Sequence, residues 1–529
     1  MTKKILLSII LLYFQISLLQ AHDNPFAVSP DPSEEVTYHN PVIPGFYSDP
    51  SVCRVGDDYY LVTSTFEYFP GIPVFHSKDL INWKQIGHCI DRPDQLPNGL
   101  NIFACTIRYH DGTFYMITTN TGIGGNFYVT AADPAGPWSD PIWVDIPAID
   151  PDLFFDDDGK VYVTSSAFLL YEIDIKTGKL LTGPHKLWWG TGGRYAEGPH
   201  IYKKNGYYYL MAAEGGTEEA HSETIARSNT IWGPYTENPA NPILAHANAA
   251  GQGNPIQGVG HADIIQAHDG SWWMVFHGYR KVVDYPSHHI LGRETCLAPV
   301  TWPRNGWPVV NGNGTASVNM TCSTLPLVPS PPKSSRDEFD DSKLGLEWNL
   351  ARSPKKAPSC YKIDNGVLSL SCLPNRIGES GSPAFIGRRL QAHNFIASAS
   401  MNFDPQNDNE HAGLILLNNN RHFDLLVKRS GTKRVVFAKL NFGSVEFVSK
   451  EYELEPGPVD LIIEGKNADF VFSFSQGQKC QQIQSVNARY LSTETVGGFT
   501  GVYVGLYATA NGIESQQQAK FNFFEYKGL

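Results

Sequence analysis

Charge is scarce in this 529-residue chain: 18% of its residues are Asp, Glu, Lys or Arg, where a quarter is usual. With 42% hydrophobic and 12% aromatic residues, that scarcity excludes a disordered or coiled-coil protein and suits packed β structure. No basic run follows the first residues, and the net charge is −12. Both argue against a nucleic-acid partner and for a neutral one. The eight cysteines contain no C-x-x-C pair, so a zinc site is not expected. Several stand in apolar runs, where a buried free thiol is the expected state, although export would permit disulfides.

Membrane-spanning runs are also missing. Lys3 and Lys4 precede an apolar stretch from Ile5 to Leu19, and small Ala21 closes "SLLQA". Fifteen positions are short for a membrane span but suit the core of an export signal. Residues 1–21 therefore read as a signal peptide. No cysteine precedes Cys53 to take a lipid. The expectation is a soluble, exported protein, periplasmic or secreted, with no membrane span.

Long helical periodicity is hard to find. What recurs instead is a turn followed by an aromatic strand: "GDDYYLVTST", "DGTFYMITTN", "DGKVYVTSS", "NGYYYLMAA" and "DGSWWMVFHG". Anchored at Asp57, Gly112, Gly159, Gly206 and Gly270, the copies lie 55, 47, 47 and 64 residues apart. Asp-Gly and Asn-Gly favour tight hairpins, because both central residues of a type I′ turn need positive φ. Five β repeats of this length predict an all-β, five-bladed β-propeller over residues 22–325. On this reading Asp156, Asp157 and Asp158 form a hairpin turn, since the alternating ligand spacing of a calcium loop is absent. A Pro-rich linker follows over 326–336. Alternating strands such as "AGLILLN" and "VDLIIEG" then predict a β-sandwich over 337–529. Its expected role is packing against the propeller, with carbohydrate binding as the functional alternative.

Counting back from the turn anchors picks out candidate site residues. Nine positions before four of them stand Phe103, Asp150, Glu197 and His261, and eight before Asp57 stands Asp49. The innermost strand of each propeller blade lines the central channel, so these five residues are predicted to converge. Proline follows Asp49 and Asp150 directly, and Gly-Pro follows Glu197. The strand starts are accordingly expected to be extended and stiff. Farther on, "LGRET" carries Arg293 and Glu294. Alone they read as a surface salt bridge, but beside a carboxylate cluster Arg293 would offset repulsion and bind hydroxyls. Three carboxyls supply what glycoside hydrolysis needs: an acid, a base, and a neighbour to tune the acid. Phe103 would stack on a sugar face.

At "NPVIPGFYSDPSV", "IDPDLF", "EGPHIY", "GHADI" and "LGRET" the chain resembles glycoside hydrolase family 43. The resemblance continues through "AFIGRRLQ" and "FTGVYVGLYA" into the accessory domain of β-xylosidase-type members, a concanavalin-like β-sandwich. It implies hydrolysis with inversion, with Asp49 as general base, Glu197 as general acid, and Asp150 raising the acid's pKa and orienting it. It places Arg293 on the sugar and matches His261 to a histidine that holds an ion or water near the channel centre. No cofactor is required; a structural calcium is the one ion the resemblance admits. Members with this accessory domain send one of its loops toward the site, and Phe499 is the candidate for that contact. Two departures stand out: many relatives have Trp where Phe103 stands and Ser where Asp152 stands. The Asp152 charge is expected to point away from the channel.

The leading expectation is an exo-acting enzyme that removes non-reducing terminal α-L-arabinofuranosyl units from plant hemicellulose, from xyloglucan or arabinoxylan side chains and oligosaccharides, with β-D-xylosidase on xylo-oligosaccharides as the alternative. A fructosidase is disfavoured because "EGPHIY" does not resemble its closing motif. A propeller lectin is the non-enzymatic reading, but it has no need for three acids in register.

Overall fold

The computed structural model describes residues 36–96, 98–248, 251–282, 285–322, 324–329, 334–352, 360–466, 468–477 and 479–529. The expected export signal and residues 330–333 of the expected linker lie outside them. No helix among the described residues is long and apolar enough to cross a membrane.

Five antiparallel sheets follow one another along the chain. Their innermost strands are Ser51–Val55, Ile102–His110, Asp152–Phe155, Glu197–Lys204 and Ile256–Gln266. The sheets form a five-bladed β-propeller. The hairpin chemistry read from the sequence is visible in the backbone. Asp111 and Gly112 have φ of 47° and 76°, and Asn205 and Gly206 have 50° and 80°, as a two-residue I′ turn requires. Blades three and five use longer turns, closed by Gly159 N–H to Asp156 O (3.1 Å) and Gly270 N–H to Ala267 O (3.0 Å). Asp156 also accepts from Lys203 Nζ (2.5 Å) and the Tyr208 hydroxyl (2.7 Å), tying this turn to blade four.

The ring is closed by a ribbon in which Val36–His39 pairs with Asn319–Cys322. The side chain of Asn40 then clasps blade five, donating to Leu297 O at 3.0 Å and accepting from Leu297 N–H at 2.8 Å. All eight cysteines are free; six are buried, Cys360 is half-buried and Cys480 is exposed. The apolar-run argument therefore holds for most of them and fails at Cys480, on a strand with no buried residue.

The C-terminal half folds as two facing sheets around a large apolar core that includes Phe395, Leu414, Phe423, Leu461, Phe472 and Phe521. It is the concanavalin-like sandwich, and one of its sheets does not stop at the domain edge. Asn349–Ala351 pairs with the short propeller strand Tyr68–Phe69, with Leu350 opposite Phe69 and Ala351 opposite Tyr68. Tyr68 stacks on Tyr503 of the sandwich with ring centroids 3.9 Å apart. Phe46, Phe66 and Tyr68 join Phe385, Ile415, Leu417 and Tyr507 in one buried cluster. Arg389 is buried there too, over the Tyr47 ring at 4.4 Å and bonded to Asn349 Oδ1 at 2.7 Å. Burial of several aromatics at roughly 1.5–3 kcal/mol each fixes the sandwich against the mouth of the propeller.

Candidate active site

A cavity of about 320 Å³ opens on the propeller axis. Asp49, Phe103, Asp150, Glu197, His261, Arg293 and Phe499 all line it, together with Phe66, Ile149, Tyr195, Thr217 and Glu218. Blades one to four deliver Asp49, Phe103, Asp150 and Glu197 at or next to the head of the inner strand, blade five delivers His261 from the middle of Ile256–Gln266, and Arg293 comes from the segment leading into Glu294–Thr301.

How the strand heads aim their side chains differs from the sequence expectation. Asp49 and Asp150 are not extended: both have φ of 55°, and His261 has 48°. In blade four the same kink falls on Gly198, at 56°. Proline bars only the right-handed helical region for its predecessor, and a left-handed residue swings its side chain off the sheet face toward the axis. Such residues cost about 1–3 kcal/mol each and persist where surrounding structure over-determines them. At Gly198 a side chain is also excluded by space, since a Cβ would lie 2.7 Å from His261 Nε2.

Asp49 is buried in a basic setting. Arg293 donates to it through Nη1 at 2.6 Å and Nη2 at 3.4 Å, while His277 Nδ1 lies 3.0 Å away and His261 Nδ1 3.7 Å. Ser64 Oγ donates at 2.6 Å and Ser48 Oγ at 3.1 Å. Burial alone would raise this carboxyl, but the Arg293 guanidinium, with His277 beside it, holds it well below the usual carboxylate range. Such a carboxylate stays ionised and can accept a proton from water only as bond formation develops.

Glu197 has the opposite environment. Burial first, then the Asp49 charge, push it up to about 7, with Arg293 opposing and Glu218 adding. Asp150 is also raised, by burial and then by Glu197 and Asp49, although it accepts Gly198 N–H at 3.2 Å. Coulomb repulsion is reciprocal, so Asp150 and Glu197 hold a proton between them near neutrality. One carboxyl kept charged and another kept protonated is the division that separates a base from an acid.

Arg293 and Glu294 do not form the surface pair that they would alone suggest. Arg293 turns inward to Asp49, whereas Glu294 is fully buried, bidentate with Arg280 (2.7 and 2.8 Å), and accepts Gly45 N–H at 2.7 Å. Adjacent strand residues point to opposite faces, which separates them. Phe499 reaches the cavity from the sandwich, stacked on Phe66 with centroids 5.6 Å apart and edge-on to Phe103 at 5.7 Å. The Arg293 guanidinium lies 5.8 Å from its ring.

Around His261 the donor set does not suit calcium. Among the described residues no group of three or more His, Cys, Asp or Glu side chains is placed to hold a metal, and calcium takes six to eight oxygen ligands. Burial drives the His261 imidazole down to about 3, so it is neutral at working pH.

Asp152 is a correction. It does not point away from the channel but lies on the axis one layer below the site, fully buried. Arg108 Nη2 is 2.9 Å from it and His200 Nδ1 is 3.4 Å away. The same guanidinium bonds Asp263 at 2.7 Å, Ser51 Oγ at 3.3 Å and His200 Nδ1 at 3.0 Å. One arginine of blade two thus touches the other four blades. Two further buried residues escape the register count: His277, bonded through Nε2 to His221 Nδ1 at 3.1 Å, and His221, whose Nε2 lies 3.7 Å from Glu197. His277 sits in the fifth repeat, "DGSWWMVFHG", whereas His221 has no motif to mark it.

Comparison with known proteins agrees with this geometry. Residues 38–308 match the profile of glycosyl hydrolases family 43, and 336–527 match the β-xylosidase C-terminal concanavalin A-like domain. A non-reducing end α-L-arabinofuranosidase of Bacteroides ovatus is 44% identical over 509 residues, 93% of this chain and 95% of that one. A xylosidase/arabinosidase of Butyrivibrio fibrisolvens is 38% identical over 92% of this chain and 99% of its own. Among solved structures, the Bacteroides ovatus xyloglucan PUL GH43B superposes with a TM-score of 0.89 at 43% identity, covering 93% of this chain and all of that one. With its propeller, its sandwich and its opposed carboxyls accounted for, the chain belongs to glycosyl hydrolase family 43.

Proposed function

We propose that this enzyme releases non-reducing terminal α-L-arabinofuranosyl residues from plant hemicellulose, such as arabinoxylan or xyloglucan side chains. It acts by single displacement with inversion. Glu197 donates its proton to the glycosidic oxygen as the bond to the anomeric carbon lengthens. Asp49 takes a proton from the water that attacks the opposite face. Asp150 keeps Glu197 protonated and oriented, and Arg293 holds Asp49 ionised while facing the sugar. Phe103 and Phe499 supply aromatic walls. The observation that carries the reading is the electrostatic split within one cavity: Asp49 is held ionised and Glu197 is held protonated near neutrality.

A volume of about 320 Å³ is at the small end of ligand pockets and suits removal of one terminal sugar at a time. The arabinofuranosyl assignment is supported by the 44% identity to an enzyme of that name. The xylosidase/arabinosidase relative keeps β-D-xylosidase as the second reading. The export signal read from the sequence of residues 1–21 is consistent with an enzyme acting in the periplasm or outside the cell, where such polymers are met.

The test is a paired assay on the 4-nitrophenyl glycosides of α-L-arabinofuranose and β-D-xylopyranose, with wild type and Glu197→Gln side by side. Turnover of the furanoside that is lost in the variant supports site and substrate together. Preference for the xyloside keeps the mechanism and overturns the substrate. Wild-type silence on both of these and on polymeric hemicellulose overturns catalysis and leaves a lectin.

A further inference from the structure

Proton donation by Glu197 fixes a direction in the cavity. The leaving group must lie on the blade-four side of the mouth, beyond the acid. The residues that line the cavity there are Tyr195, Gly216, Thr217 and Glu218. Tyr195 stands two positions before the acid, is 69% exposed, and has φ of 54°. A large aromatic held in a strained conformation with its ring in solvent serves no core. Six positions earlier Trp189 is 83% exposed, while its neighbour Trp188 is buried in the cluster between blades three and four.

The segment that carries them is fixed from below. Buried Glu214 accepts Thr191 N–H at 2.8 Å, Thr191 Oγ at 3.0 Å and Gly193 N–H at 2.7 Å. Only glycine fits so close to it: a Cβ on Gly193 would lie 2.7 Å from Glu214 Cβ, and one on Gly190 2.7 Å from Oε1. Arg194 is bonded to Gly215 O at 3.1 Å and paired with Glu218, and its guanidinium lies 5.3 Å from the Tyr195 ring. The ring is thus backed by a cation on a segment fixed before any ligand arrives, which lowers the ordering cost of binding.

We propose that residues 188–195 form the platform for the leaving-group side of the substrate, a chain of pyranose rings, with Tyr195 stacking on the ring next to the cleaved bond and Trp189 on one farther along. Thr217 and Glu218 offer hydrogen-bond partners to ring hydroxyls at the same edge. This inference rests on the proposed hydrolysis but not on which terminal sugar is removed.

The test separates the two sides of the bond. Free L-arabinose occupies only the terminal-sugar side, whereas arabinoxylan oligosaccharides occupy both. Tyr195→Ala is expected to lower kcat/KM on the oligosaccharides about tenfold and to leave the inhibition constant of L-arabinose unchanged. Tyr195→Phe keeps the ring and should stay within about twofold, while Trp189→Ala should act only on the longer chains. Calorimetric binding of the same oligosaccharides to Glu197→Gln, with and without Tyr195→Ala, gives the same reading without turnover. If wild type proves to be a xylosidase, D-xylose and xylo-oligosaccharides replace the pair, and the same split is required. Loss of monosaccharide inhibition in step with oligosaccharide turnover would place Tyr195 on the terminal sugar and overturn the platform. Unchanged oligosaccharide kinetics and binding would do so as well.

Discussion

Replacing Asp150 by Asn should move the alkaline limb of the pH–rate profile toward acid. In wild type Glu197 is raised to about 7. An ordinary glutamate, with a pKa near 4.3, is protonated in roughly one molecule in five hundred at pH 7, whereas a pKa near 7 leaves about half protonated. The site therefore enriches the competent acid roughly two-hundred-fold. The sign is fixed by the role: the acid must hold its proton, so kcat/KM falls as pH rises through about 7. Asp49 lies well below the usual range, so the base remains ionised into mild acid and the plateau lies between.

Two like unit charges about 4–8 Å apart at an effective dielectric of about 20 repel by roughly 2–4 kcal/mol. Solvent at the open mouth weakens this, so removing the carboxyl that shares a proton with Glu197 should lower Glu197 by about one to two pKa units. In Asp150→Asn the alkaline limb should then fall to between about 5 and 6. The substrate should be an oligosaccharide, whose sugar leaving group needs a proton. A dinitrophenyl glycoside serves as control, because its leaving group departs unprotonated and should show little of the limb. An Asp150→Asn limb at or above the wild-type position would refute the assignment of Asp150 as the group that keeps Glu197 protonated. A limb that persists equally with the dinitrophenyl substrate would show that it does not belong to the acid.

Glu197→Gln and Asp49→Asn should each lower kcat/KM on oligosaccharides by about a thousandfold or more while circular dichroism stays native; activity within tenfold of wild type in either would remove that residue from the mechanism. Phe499→Ala should lower kcat/KM by roughly five- to thirtyfold without changing thermal stability, since the ring is partly exposed and belongs to the cavity wall; an unchanged rate would confine the sandwich to a packing role. Arg108→Met should leave two buried carboxylates, Asp152 and Asp263, without their cation and cost about 3–5 kcal/mol of stability. Denaturant unfolding checks this, and a loss below about 1 kcal/mol would mean that water already compensates the pair.

Much of the site is legible in the sequence because a propeller converts sequence register into position. Phe103, Asp150, Glu197 and His261 stand nine positions before their turn anchors and Asp49 eight, and all five meet on one axis, although no two are near in sequence. The layer beneath them follows the same logic two positions on, at Ser51, Asp152 and Asp263, and was hidden by bulges. In blade four a register shift between Glu197 and His200 inserts an extra residue, so the lower-layer residue is three positions on. In blade two a shift between Ile102 and Cys105 precedes Arg108, five positions after Phe103. Counting at a fixed offset cannot see through a bulge, because the pleat reverses side-chain direction at each inserted residue. Asp152 was misplaced for a related reason: the pleat returns position i+2 to the same face, one layer down the channel rather than away from it.

The two layers depend on each other. The upper one gathers three carboxyls and left-handed residues at Asp49, Asp150 and His261, strain of several kcal/mol in sum added to like-charge repulsion. In that layer the blades are tied by Arg293 and His277 at Asp49 and by the Gly198 N–H to Asp150. In the lower layer one guanidinium holds Ser51, Asp152, His200 and Asp263 within 3.3 Å. All four stand two or three residues beyond a catalytic or channel residue in the chain. A clamp that close in sequence fixes the strand heads more tightly than the blade cores can, since those lie farther from the axis. Arg108→Met should therefore change more than stability: below its melting temperature the surviving folded enzyme should show a lower kcat, because Asp49 and Glu197 lose their fixed spacing, while the inhibition constant of the free terminal sugar changes less. A variant that melts early but keeps full kcat when cold would show that the upper layer holds itself.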